Sequence, residues 1–369
     1  MCETGLITHD LSAGYGKKAV VNGVEISAEK GKILTLIGPN GAGKSTVLKT
    51  LCRQIKPLGG TVFIGNTDLH DLSGNELARS VSLLLTGRTK TEYMRCIDVV
   101  ETGRYPYTGK LGILSEHDHA MVAESLKSVD IEDIAYCDFE RISDGQRQRV
   151  LLAGAICREP DVLILDEPTT FLDIKYKLEL MSILKRIARE KNTAVIMSLH
   201  ELELAQRVSD KILCIKGDRP DRIGTPDEVF SNGYIEELYG ITNGSFCENY
   251  GSPELEKSKG APEIFVIGGG GSGIAVYRRL QRMGIPFAAG IIHENDIEFP
   301  VASALASELI TEKAFEAVSQ ESYEKALQVM KRCKQVICAV KKFGAMNEIC
   351  LMLVNEAEKA GLVKEGAAT

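Results

Sequence analysis

The chain has 369 residues, 44 Lys and Arg against 51 Asp and Glu, a formal charge of −7 and an apolar share of 44%. That length allows two domains, and the acidic balance excludes a nucleic-acid binder that relies on bulk positive charge. The N-terminus lacks a basic segment followed by an apolar one, and no apolar run approaches the ~20 residues that span a bilayer, so a cytoplasmic protein is expected. Ten scattered cysteines, none in C-x-x-C, read as reduced thiols in such a compartment.

Residues 6–10 and 20–28 read as strands flanking the turn Ala13-Gly14-Tyr15-Gly16. An exposed Tyr15 ring in such a turn could stack on a base. A buried strand over residues 32–37 then runs into Gly38-Pro39-Asn40-Gly41-Ala42-Gly43-Lys44-Ser45-Thr46, followed by the start of a helix at residues 47–51. This is G-x-x-x-x-G-K-[ST] in the strand–loop–helix setting that the motif requires. Its glycines let backbone N–H groups turn inward around phosphate oxygens, and the helix N-terminus adds its dipole. Lys44 then reaches the β/γ-phosphates and Ser45 the Mg²⁺, so a nucleoside triphosphate is the expected ligand.

Residues 61–64 and 81–85 read as further strands, separated by glycine turns. A polar segment at residues 86–91 precedes a helix at residues 96–102 and Gly103-Arg104-Tyr105-Pro106-Tyr107. His117 and His119, two apart without a third ligand nearby, read as a solvated helix start.

Ile142-Ser143-Asp144-Gly145-Gln146-Arg147-Gln148-Arg149 leads into an apolar helix at residues 150–157. Val162-Leu163-Ile164-Leu165-Asp166-Glu167-Pro168 follows, four aliphatics of a central parallel strand with two acids at its carboxyl end, where α/β sheets place ligands. Asp166 suits Mg²⁺ held through water, and Glu167 suits polarising a water for attack on the γ-phosphate. Thr170-Phe171-Leu172-Asp173 opens a helix running to about residue 190. A buried strand at residues 194–199 ends at His200, well placed for a γ-phosphate.

Together the blocks G-P-N-G-A-G-K-S-T, I-S-D-G-Q-R-Q-R, L-I-L-D-E-P-T-T-F-L-D and S-L-H-E resemble the ATP-binding-cassette ATPases over residues 6 to about 229. The resemblance implies that Tyr15 stacks on adenine and that Ser143, Gly145 and Gln146 present a helix N-terminus to the γ-phosphate held by a second copy. It also implies that Asp173 couples the two sites and that His200 is the switch histidine. Two departures stand out. Ile142 and Asp144 replace the Leu and first Gly of the usual L-S-G-G-Q, and Thr86 stands where the family has a Mg²⁺-contacting glutamine.

Val99-Val100-Glu101-Thr102-Gly103-Arg104-Tyr105-Pro106 and the residues after His200 resemble importer ATPases for iron–siderophores, haem and vitamin B12. That resemblance implies a dimer on membrane permease subunits, served indirectly by a substrate-binding protein, with no nucleic acid bound. The protein would sit on the inner face of the membrane through the permease. The alternative is a non-transport ATPase of the same family regulated by a ligand at its C-terminal domain. Against the DNA-repair type, Lys44 and Asp166 lie in one compact domain; against the translation type, there is one cassette.

The expected organisation is an α/β cassette over residues 1–252, a linker at 253–262 and a smaller Rossmann-like α/β domain over 263–369. In the last, strands at 263–267, 287–292 and 335–340 alternate with helices at 274–283, 301–308, 323–331 and 346–360. Gly268-x-Gly270-x-x-Gly273 matches the dinucleotide fingerprint between strand and helix, with Glu294 where a ribose-binding acid would follow. A purely structural or protein-contact domain is expected ahead of one that binds a dinucleotide or other phosphate-bearing ligand; if a ligand binds, the domain would be a sensor that biases cassette closure, with His293 and Asn295 as candidate contacts.

Overall fold

The computed structural model describes residues 3–85, 93–109, 111–248 and 250–363. They form two compact units, Met1–Tyr239 and Gly240–Thr369.

The first unit opens with β1 (Thr4–Tyr15), β2 (Lys18–Val24) and β3 (Ser27–Glu29), then β4 (Ile33–Ile37), α1 (Lys44–Leu51), β5 (Gly59–Ile64), β6 (Thr67–Asp68), α2 (Gly74–Ser80) and β7 (Val81–Leu85). The helices α3 (Cys96–Glu101), α4 (Glu116–Ser128) and α5 (Asp144–Ile156) follow. It closes with β8 (Val162–Asp166), α6 (Ile174–Glu190), β9 (Ala194–Ser198), α7 (Leu202–Val208), β10 (Lys211–Lys216), β11 (Arg219–Gly224), α8 (Pro226–Val229) and α9 (Tyr234–Tyr239).

Two sheets result. One is antiparallel, in the order β2-β1-β5-β6 with β3 on β1; the other runs β11-β10-β4-β9-β8-β7 and is parallel apart from β11. Every residue of β4, β8 and β9 is buried, as continuous aliphatic runs require when helices or a second sheet cover both faces. The core joining α1 to both sheets includes Leu6, Leu36, Val47, Leu48 and Ile164. Parallel order brings the carboxyl ends of β4, β8 and β9 side by side, which positions the site described below.

The segment Gly103–Pro106 carries a buried charge. Arg104 is 1% exposed and donates from Nε to Asp118 Oδ1 at 2.8 Å, and from a terminal nitrogen to the Cys157 carbonyl at 2.7 Å and Glu159 Oε2 at 2.9 Å. Its guanidinium lies 3.9 Å from the Tyr107 ring centroid. Asp118 also caps α4, accepting from the Ser115 N–H and hydroxyl at 2.9 and 2.6 Å. The arginine therefore ties the start of α4 to the end of α5, and a buried ion pair with its hydrogen bonds satisfied is tolerated.

The second unit begins with β12 (Ser245–Cys247) and β13 (Ser252–Glu254), a hairpin. It continues with β14 (Ile264–Ile267), α10 (Ile274–Arg282), β15 (Phe287–His293), α11 (Phe299–Leu305), β16 (Glu308–Glu312), α12 (Gln320–Arg332), β17 (Gln335–Cys338) and α13 (Glu348–Lys359). Its four-stranded sheet is parallel in the order β16-β15-β14-β17. Alternation along β14 decides the layers. Phe265 and Ile267 join Tyr323 and Leu353 of α12 and α13, while Ile264 and Val266 join Tyr277 and Val301 of α10 and α11.

Three sequence expectations differ from this structure. The cassette was expected to reach residue 252, yet the units divide at Tyr239, and the hairpin belongs to the second. The supposed linker begins inside β13, where buried Glu254 is paired with Arg278 of α10. The helix expected at 301–308 ends at Leu305, and a fourth strand follows it as E-L-I-T-E. Its last residue, Glu312, is buried, but the N–H groups of Ser319 and Lys313 at 2.7 and 3.1 Å outweigh that and hold the carboxyl down at about 2.

The Ser115 hydroxyl and N–H, with Arg104, hold the Asp118 carboxyl down at about 2, against 3.8 ordinarily. A depressed folded value means that its contribution is complete above the unfolded value and is lost as pH falls toward 2. Asp118→Asn is therefore expected to lower the unfolding midpoint clearly at pH 7, by an amount that shrinks as pH falls below 4. Thermal unfolding of both forms across that range measures the gap; one that stays constant with pH contradicts the ionic role.

Candidate active site

The strand β4 ends at Ile37, and the chain turns through Gly38–Gly43 into α1. Gly43 is the cap of α1 at φ 93°, and a Cβ there would fall 2.3 Å from Val21 Cγ2, so β2 leaves room only for glycine. The loop borders an open cleft of about 550 Å³ lined by Tyr15, Val20, Asn40, Gly41, Gly43, Lys44, Ser45, Thr46, Glu167 and His200. Tyr15, 56% exposed at the end of β1, stands at its edge.

Lys44 is 5% exposed, and its Nζ donates to the carbonyls of Gly38 at 2.7 Å and Pro39 at 3.1 Å. Burial pushes its pKa down, opposed by the charges of Glu167 and Asp166. Ser45 Oγ donates to Asp166 Oδ1 at 2.9 Å, and Ser198 Oγ donates to the same oxygen at 2.8 Å. Hydroxyl and carboxylate oxygens side by side at a helix N-terminus are the donor set that Mg²⁺ takes beside phosphate oxygens and water. Thr86 lies outside the described residues.

Glu167 follows β8 at φ 49°, a left-handed conformation that costs a residue with a Cβ about 1–2 kcal/mol. Ser198 accepts its N–H at 2.9 Å and so holds the turn. The Glu167 carboxylate meets His200 Nε2 at 2.5 Å, joining the ends of β8 and β9. One residue on, Glu201 accepts from Thr169 Oγ1 at 2.7 Å and Lys177 Nζ at 2.5 Å. Burial works to raise the Glu201 pKa, but these donors outweigh it and lower it.

Sequence reasoning passed over Ser198, Glu201 and Lys177. The signal for Ser198 was available, since parallel pairing of two five-residue runs sets Asp166 opposite Ser198. The bond between Glu201 and Lys177 depends on how α6 returns, which local pattern does not reveal.

Ser143, Gly145 and Gln146 are not among the described residues that line the cleft. They form the start of α5, where Ser143 is exposed and Gln146 partly so: Ser143 Oγ accepts the Gln146 N–H at 3.3 Å, and Gln146 Oε1 accepts the Ser143 N–H at 3.0 Å. Gly145 is buried; a Cβ there would lie 2.7 Å from the Tyr176 ring. Asp173 caps α6, accepting from Tyr176 N at 2.9 Å.

In the second unit the glycine turn does not fit a dinucleotide. The Gly273 N–H donates to Glu298 Oε2 at 2.7 Å, the Gly270 N–H to Asp296 Oδ2 at 2.7 Å, and the Tyr277 hydroxyl to Glu298 Oε1 at 2.8 Å. Donors that would hold a pyrophosphate are thus taken by the chain's own carboxylates. Burial pushes the Glu298 pKa up, against these bonds. The glycines answer to packing: a Cβ on Gly268 would fall 2.2 Å from Glu298 Oε1, and one on Gly273 2.4 Å from the Tyr277 ring. His293 bonds the Glu316 carbonyl at 2.8 Å, whereas Glu294 and Asn295 are exposed. The dinucleotide expectation is set aside.

The ABC transporter family model matches residues 21–170, and the MJ0874 family model matches residues 287–365. The chain is 43% identical over 281 residues to the uncharacterized ABC transporter ATP-binding protein MJ0873 of Methanocaldococcus jannaschii, covering 75% of this chain and 96% of that one. It is 33% identical over 261 residues to the iron(3+)-hydroxamate import ATP-binding protein FhuC of Bacillus subtilis, covering 68% and 97%. With the cobalamin import ATP-binding protein BtuD of Halobacterium salinarum it shares 30% identity over 290 residues, 77% and 72% of the two chains. Among solved structures, CbiO1 of Clostridium perfringens superposes with a TM-score of 0.56 at 26% identity, covering 64% and 94%. The MJ0796 cassette, solved as a dimer, gives 0.53 at 25%, covering 60% and 98%. The chain therefore belongs to the ABC transporter ATP-binding proteins and is an ATPase of that family.

Proposed function

We propose that the protein is the ATP-hydrolysing subunit of an importer for an iron–siderophore, haem or cobalamin, working as a dimer on membrane permease subunits. The names of its relatives support the substrate class: achromobactin transport in Dickeya dadantii, a probable siderophore transport system and iron(3+)-hydroxamate import in Bacillus subtilis, and cobalamin import in Halobacterium salinarum. Among the described residues no helix is long and apolar enough to cross a membrane, so transport needs other chains to provide the path. Attachment through a permease would place the protein on the inner face of the membrane.

The observation that carries the catalytic reading is the Glu167–His200 pair beside the phosphate loop. ATP would lie with its base against Tyr15 and its phosphates over Gly41–Thr46. Lys44 would turn from the loop carbonyls to the β/γ-phosphates. Ser45 and Asp166 would hold Mg²⁺, which neutralises phosphate charge when bound. Glu167 would orient and polarise the attacking water, and His200 would fix the Glu167 carboxylate while sensing the γ-phosphate.

Ser143, Gly145 and Gln146 are not among the described residues that line this chain's cleft, and Ser143 at the start of α5 is exposed, which supports their action on ATP held by a second copy. Asp173 would serve that junction through the turn that it caps. MJ0796, solved as a dimer, supports such an assembly. In the second unit, the strand order supports a Rossmann-like domain, which we take as regulatory with a ligand other than a dinucleotide.

Glu167→Gln is expected to abolish steady-state hydrolysis in the full chain while ATP still binds; retained turnover contradicts the assignment. In the native host the same substitution should stop uptake of labelled ferric siderophore, haem or cobalamin. Normal uptake of all three by an ATPase-dead strain contradicts the importer reading.

Ser198→Ala is expected to lower kcat about ten- to a hundredfold, because Asp166 and Glu167 lose a shared anchor worth ~1–3 kcal/mol. ATP binding by filter or fluorescence assay should change less than kcat.

A further inference from the structure

We propose that Tyr239, the last residue of the first unit, is a positioning residue of the phosphate loop. Its hydroxyl accepts a hydrogen bond from the Gly38 N–H at 3.2 Å. Gly38 is where β4 gives way to the loop. It sits at φ 148°, and a Cβ there would fall 2.2 Å from the Ile215 carbonyl oxygen. The first residue of the loop is thus restricted to glycine by the backbone of β10 and held by a tyrosine 201 residues away in sequence. Burial pushes the Tyr239 phenol up to about 12, and the bond from Gly38 only partly offsets that. The group therefore stays a neutral hydroxyl through the physiological range.

The helix that carries this hydroxyl is itself firmly placed. Tyr234, Ile235 and Leu238 of α9 are buried. The Tyr234 hydroxyl donates to Asp221 Oδ2 at 2.6 Å, the Arg222 guanidinium lies 3.6 Å from its ring centroid, and Lys216 bonds Glu237 at 2.7 Å. These contacts fasten α9 to β10 and β11, and it is Ile215 of β10 whose carbonyl leaves no room for a Cβ at Gly38. The chain then turns at Gly240, φ 62°, and everything beyond belongs to the second unit. The residue that carries the hydroxyl at the base of the loop thus immediately precedes the second unit. The covalent path between the second unit and the nucleotide cleft therefore passes through Tyr239. That part rests on the reading of the second unit as regulatory; the positioning role does not.

Tyr239→Phe in the full-length chain removes the hydroxyl alone. The expected result is an ATP KM, and a Kd for a non-hydrolysable analogue, raised about three- to tenfold, as the loss of one modest hydrogen bond allows. The kcat should stay within about twofold and the thermal midpoint should move little. Glu237→Gln, which removes an exposed ion pair from the same helix, should leave KM unchanged. An unaltered KM in Tyr239→Phe overturns the proposal. So does a fall in kcat accompanied by a large loss of thermal stability, which marks a merely structural role. An equal KM shift in Glu237→Gln overturns it as well, because the effect would then belong to the docking of the helix and not to the hydroxyl.

Discussion

The cleft depends on the hydroxyl of Ser198. It donates to Asp166, accepts the backbone N–H of Glu167, and stands opposite Asp166 because β8 and β9 pair in parallel register. Through Asp166 it is also joined to Ser45 and so to the first turn of α1. One small polar group thus fixes a strained turn, a carboxylate and a helix start in one arrangement. Its burial makes the arrangement rigid, since a buried hydroxyl left unpaired would cost about 1–3 kcal/mol.

Much of the first unit was legible because its chemistry is local in sequence. The aliphatic runs ending in Asp166 and His200, and the glycines before Lys44, each carry their structural context with them. What escaped was long-range. The division at Tyr239 was hidden because residues 242–262 read as the closing strands of the cassette and a linker, whereas the hairpin and the Glu254–Arg278 pair become apparent only once α10 is in place. Strand β16 was not expected: the expected helix stops at Glu308, and an acid at each end of E-L-I-T-E leaves only a short apolar centre to signal a strand. The donors that receive Glu312, the N–H groups of Lys313 and Ser319 with the Ser319 and Ser322 side chains, make that buried acid acceptable at the sheet's edge.

Glycines illustrate the same limit. In a sequence, Gly43, Gly145 and Gly273 all read as phosphate contacts. In the structure each also leaves room for a neighbour: Val21 for Gly43, Tyr176 for Gly145 and Tyr277 for Gly273. For Gly43, beside the cleft, the two explanations coincide. For Gly273 only the packing explanation survives, since its N–H is already occupied by Glu298.

That self-satisfied turn has a consequence for competition. A carboxylate tethered by 25 residues and held by its own packing meets the N–H groups at an effective concentration on the order of millimolar or above. A free phosphate ester would have to displace it against that local excess and leave Glu298 without its donors in a site that water does not reach. The fingerprint spelled by these glycines is thus answered from within the same domain, by an intramolecular ligand that no diffusing anion easily replaces.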